Sequence, residues 1–140
     1  MSKINLGRVL LGGFVAGLVL NIGETLLNLV VLGKQLEAEL NRLRVPQPDN
    51  IFIAKAIVLT FLLGFVIMLT YALIRPRLGA GPKAAVVAGL IAWFGIYFYM
   101  GLFIMMLFGF PLNLTLIGFV WGLVEFSLAA IAGAWLYKES

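Results

Sequence analysis

The sequence predicts an all-α fold: a four-helix transmembrane bundle with one short amphipathic helix in the first loop. Three observations predict it. Of 140 residues, 63% are hydrophobic and only 11% are charged, and the mean hydropathy is +1.10; a soluble domain is about half apolar and about a quarter charged. Four segments each supply the about 20 mostly apolar residues needed to cross a hydrocarbon core of ~30 Å. All five prolines fall between those segments, where they leave helical hydrogen bonding intact. This composition excludes a soluble globular domain and a disordered chain. The spans fill most of residues 1–140 as a single integral membrane domain.

The first span is expected over about 6–32. Lys3 and Arg8 stand near its start. The apolar run then continues too far for a secretory signal and lacks an A-x-A cleavage site. The first loop, KQLEAELNRLR over about 34–44, places Leu36, Leu40 and Leu43 on one helical stripe with charges elsewhere. It reads as an amphipathic helix on the membrane surface or against a partner, or as a plain linker. Val45-Pro-Gln-Pro stops it, and Asn50 is the expected N-cap of the second span, about 51–74. The stretch Gly79-Ala-Gly-Pro-Lys83 lacks phosphate-loop spacing and reads as a turn. The third span covers about 84–108 and carries an aromatic and methionine-rich face, suited to packing or to a pigment or quinone edge. The fourth covers about 114–137, with Asn113 as its expected N-cap. Trp135, Tyr137 and Tyr71 fit an interfacial aromatic belt.

Lys and Arg are more numerous at the N-terminus, second loop and C-terminus than in the first and third loops. The positive-inside rule then predicts cytoplasmic termini. The net charge of +4 is read as topology signal and contact with anionic lipid, not as nucleic-acid binding. There is no Cys and no His. That removes thiolate and imidazole metal sites, disulfides and His acid–base chemistry. No cofactor and no metal site is predicted, no nucleophile–base pair is found, and no enzyme activity is expected.

Polar groups at membrane depth are the informative ones, because an ionised carboxylate there costs at least about 2.5–3.5 kcal/mol. Glu24 lies roughly 12 Å and Glu125 roughly 16 Å from the same membrane face at a rise of 1.5 Å per residue. Asn21, Asn28, Lys55 and Tyr97 sit at compatible depth and complete a predicted polar cluster: Tyr97 is the expected donor to Glu125, Asn21 and Asn28 to Glu24, and Lys55 either snorkels outward or bends inward to neutralise a glutamate. Two readings stay open: a protonatable pair on a transport path, or polar contacts that glue the bundle or dock a subunit. Gly13 and Gly17 lie in line with Glu24, and Gly118 and Gly122 with Glu125. These pairs predict close packing of the first span on the fourth, with both glutamates near that seam. GFVAGLV and GFVWGLV match at six of seven positions, through duplication or through convergence on a glycine-rich surface.

On INLGRVLLGG followed by NIGE, on IRPRLGAGPK, and on WGLVE with GAWLYKE, the chain resembles uncharacterised bacterial four-span membrane proteins, a group that implies no activity. It is similar more distantly to the small multidrug resistance transporters, where Glu24 would be the counterpart of their functional glutamate. Against that stand a longer chain, a longer first loop, and the additional Glu125 and Lys55. The first functional expectation is a small non-catalytic membrane subunit, structural or accessory, packing within a larger complex. The second is a small proton-coupled transporter or channel that works as a homo-oligomer through Glu24 and Glu125.

Overall fold

A computed structural model describes residues 3–139. Helix α1 runs Leu6–Val31, α2 Gly33–Arg42, α3 Asn50–Leu78, α4 Pro82–Phe108 and α5 Leu112–Leu136. No strand occurs among the described residues. The four helices other than α2 are each long and apolar enough to cross a membrane. α1 packs on α3 and α5, and α4 packs on α5. Through its first half, Pro82–Trp93, α4 also packs on α3. The ring order is therefore α1, α3, α4, α5. The buried centre combines Leu20, Ile67, Met68 and Phe126 with alanines such as Ala16, Ala88 and Ala129. Large apolar side chains such as Leu29, Leu59 and Val120 point outward, as expected of a body solvated by lipid.

The element ends differ in detail from expectation. The cap of α3 is Asp49, whose carboxylate accepts the Phe52 N–H at 2.7 Å, so Asn50 is already helical. Pro111 precedes α5 and Asn113 lies inside it. α3 continues through Pro76 to Leu78, four residues past the expected end. Gly79 and Gly81, at φ of 83° and 125°, then make the turn into α4, a conformation natural to glycine. Pro82 takes the first helical position, where its missing N–H costs nothing.

The amphipathic helix is seated on its own bundle. Leu36 packs against the cluster of Leu27, Leu32 and Leu114. The Arg42 guanidinium donates to the carbonyls of Phe108 at 3.0 Å and Gly109 at 3.3 Å, at the end of α4. At the opposite face, where both termini lie, Tyr71 and Tyr137 are buried and meet edge-on at 5.7 Å. Their hydroxyls accept the N–H groups of Gly81 and Asn5. Both tyrosines are thus internal ties, and only Trp135, 83% exposed, suits a lipid interface. Arg75 stacks over Tyr137 and pairs with Glu139 at 2.9 Å.

Candidate functional site

Glycines decide which helices can meet. Gly12 and Gly133 bring α1 and α5 together: a Cβ on either would lie 2.6 Å from the other's carbonyl oxygen. Gly64 brings α3 against the backbone of Gly13 and Gly17 in the same way. The expected seam of Gly13 and Gly17 with Gly118 and Gly122 does not form. Gly13 and Gly17 receive the rings of Phe65 and Phe61 from α3, and Gly122 receives the ring of Tyr97 from α4. Span one does pack on span four, but one residue round the helix, through Gly12. Notches for aromatic rings and notches for a neighbouring backbone look alike in sequence, because both require only the missing Cβ.

Tyr97, held by Gly122 on one side and edge-on against Phe126 at 5.5 Å on the other, points its hydroxyl at Glu24. It donates a hydrogen bond to Oε1 of Glu24. Asn28, one turn along α1, donates to Oε2 at 3.1 Å. Each oxygen of the Glu24 carboxylate thus has a donor. Glu125 reaches the same place from α5. It is 5% exposed, and Glu24 and Tyr97 both lie within its electrostatic reach. Its carboxyl rests on the bare Cα of Gly23, where a Cβ would fall 2.6 Å from Oε1. Neither of its oxygens has a hydrogen-bond partner. Among the described residues no Lys or Arg pairs with either carboxyl. Two carboxyls this close without a cation need a proton or a positive ligand to balance them.

Glu24, Tyr97, Glu125 and Asn28 therefore come together, and Asn28 serves Glu24 as expected; Tyr97, expected to donate to Glu125, donates to Glu24 instead, because its ring seated on Gly122 aims the hydroxyl at α1. Two members of the predicted cluster stand apart. Asn21 donates to the carbonyls of Gly17 at 2.9 Å and Ile57 at 3.4 Å, which ties α1 to α3. Lys55 is exposed. It precedes Gly64 by nine positions, about half a turn round at roughly 100° per residue; since Gly64 faces α1, Lys55 faces outward and can extend along the surface.

Three contributors carried no strong sequence signal. Gly23 provides the seat for Glu125, marked only by its place beside Glu24. Trp121 donates its indole N–H to the Gly23 carbonyl at 3.2 Å; it is the single position at which the two glycine heptapeptides differ. The third is a pair of π-helical turns, Leu26–Val31 just after Glu24 and Phe94–Tyr99 around Tyr97. Such turns re-aim side chains and recur at functional sites. The rest of the aromatic face of α4 packs within the chain or faces outward: Trp93 donates to the Phe119 carbonyl at 3.0 Å, Phe98 meets Phe119 at 5.4 Å, and Tyr99 is exposed. Comparison of the chain with protein-family models, with curated proteins and with solved structures finds no match.

Proposed function

We propose that the protein is a small proton-coupled membrane transporter or channel, working as a homo-oligomer through Glu24, Tyr97 and Glu125, with both termini in the cytoplasm of a bacterial cell. One observation carries this reading: two carboxyls and a phenol from three helices converge inside the bundle, with no cation beside them. A cluster that served only as glue would satisfy all its members. Here Glu24 is satisfied and Glu125 is left without partners. Four helices enclose little space, so a pathway would be completed by further copies of the chain.

The reading of an accessory subunit has one specific support. The second half of α4 exposes large apolar side chains such as Met106, Leu107 and Phe108, which leaves a face for another membrane protein. Reconstitution separates the two. In liposomes with a pH-sensitive dye inside, the wild type is expected to carry a proton flux. Glu24→Gln and Glu125→Gln are expected to abolish it while the protein still assembles, because Gln keeps size and hydrogen bonding but cannot change its charge. Absence of flux in the wild type, with both variants assembling normally, overturns the transporter reading in favour of the accessory one.

A further inference from the structure

We propose that the face carrying both termini binds the phosphate of an anionic phospholipid, which takes the place of the Glu139 carboxylate on the Arg75 guanidinium. This site lies at the opposite end of the bundle from α2. It is separate from Glu24, Tyr97 and Glu125 and does not depend on what they do.

Arg75 is built into the fold. It stands near the end of α3, and its guanidinium lies over the Tyr137 ring, 5.4 Å from the centroid. Tyr137 is buried and is itself fixed: its ring meets Tyr71 edge-on, and its hydroxyl accepts the Asn5 N–H. The guanidinium is therefore held in place before any ligand arrives. It presents its N–H donors in a rigid fork. Glu139 takes Nη1 at 2.9 Å, while Nε is buried and has no acceptor. A buried donor left without an acceptor is costly. Glu139 is tethered to the short segment after α5, which limits its angle of approach. An untethered phosphate can turn and accept from two nitrogens of the fork, the bidentate contact to which arginine is suited.

The surroundings favour an anion. Lys3, Arg8, Arg75, Arg77, Lys83 and Lys138 all belong to this face, and among the described residues Glu139 is the acidic one beside them. Arg8 donates to the Leu136 carbonyl at 3.4 Å, so a second guanidinium reaches the segment that carries Glu139. The carboxylate thus occupies a place that the summed positive field prepares for a negative group. A zwitterionic choline headgroup would bring its own cation into that field. What selects a lipid over a free anion lies one turn deeper. A cavity of about 110 Å³ opens there, lined by Tyr71, Ile131, Ala134 and Trp135 with Gly81 and Pro82 of the turn. Tyr71 precedes Arg75 by four residues on α3, so the cavity lies about 6 Å to the membrane side at 1.5 Å per residue. Trp135, 83% exposed, continues it toward lipid. A phospholipid anchored at Arg75 sets its glycerol and the start of its acyl chains at that level, and a free phosphate leaves the cavity unfilled.

The test is binding of dioleoylphosphatidylglycerol to the purified protein in a neutral detergent, read by native mass spectrometry. Dioleoylphosphatidylcholine and inorganic phosphate serve as comparators. The anionic lipid is expected to be retained in preference to the choline lipid, and excess inorganic phosphate is expected not to displace it. Arg75→Gln is expected to weaken binding about tenfold or more, the factor for a lost charge-assisted contact. Arg77→Gln removes the same charge from an exposed position and is expected to cost no more than about fivefold. Glu139→Gln is expected to strengthen binding about twofold or more, because the competing anion is gone; a purely structural ion pair gives no such gain. This variant decides the matter even where Arg75→Gln does not fold, since a partly exposed pair adds little to stability. Equal retention of the two lipids overturns the proposal. So do equal losses in Arg75→Gln and Arg77→Gln, which would mean a diffuse field, and so does unchanged or weaker binding in Glu139→Gln. Displacement by inorganic phosphate would assign the site to a free anion and remove the lipid.

Discussion

Tyr97 is the residue on which the site turns. Its ring fills the space that Gly122 leaves open, and that fit fixes where its hydroxyl can reach. Replacement by Phe keeps the ring and deletes the donor to Glu24. A carboxylate that loses a buried donor costs about 1–3 kcal/mol. Tyr97→Phe is therefore expected to lower the thermal denaturation midpoint in detergent, and to do so far less in a Glu24→Gln background, where a neutral amide replaces the carboxylate. Equal losses in the two backgrounds would show that the phenol acts on packing alone. Gly23 works at the same scale through absence: its bare Cα is what lets a carboxyl lie between two helices.

Among the helices, the glycines separate by what they face. A Cβ at Gly118 would stand 3.5 Å from the Tyr97 ring, an ordinary contact, while one at Gly122 would stand 2.7 Å from it. A Cβ at Gly12 would meet the backbone of Gly133 at 2.6 Å, and a backbone cannot step aside. The expected order of stability is therefore Gly118→Ala close to wild type, Gly122→Ala lower, and Gly12→Ala lowest. Overpacking of this kind typically costs about 1–3 kcal/mol. Thermal unfolding of the three variants in one detergent checks the order. Equal values for Gly12→Ala and Gly118→Ala would mean that α1 and α5 are not in backbone contact. The π turns belong here too. Each lies beside a polar member of the site, so α1 and α4 depart from regular geometry where Glu24 and Tyr97 must face each other.

For the whole molecule, the helices divide into a terminal face rich in Lys and Arg and an opposite face closed by α2. If the positive-inside rule holds, Gln47→Cys is reached from outside the cell by a membrane-impermeant thiol reagent, and Lys83→Cys is reached only after the membrane is opened. The reverse pattern would invert the bundle and place α2 in the cytoplasm. The exposure of apolar side chains on every outer face follows from the solvent. Lipid gives no drive to hide them, so association depends on fit and on polar ties.

The division between what the chain dictated and what packing decided follows from these forces. Length and hydropathy determined the four spans, since bilayer thickness imposes one length on any spanning helix. The leucine stripe determined the helix in the first loop. The cost of charge in hydrocarbon marked Glu24 and Glu125, and their level brought in Tyr97 and Asn28. Only the tertiary structure decided what each glycine receives, because the same missing Cβ admits a ring at Gly122 and a backbone at Gly12. It also sent Lys55 outward and Asn21 to α3, since depth along a helix is readable from sequence while the direction of each helix toward its neighbours is not. And it left Glu125 without a donor: hydrogen bonds are allotted by positions in space, and there Tyr97 and Asn28 both give theirs to Glu24.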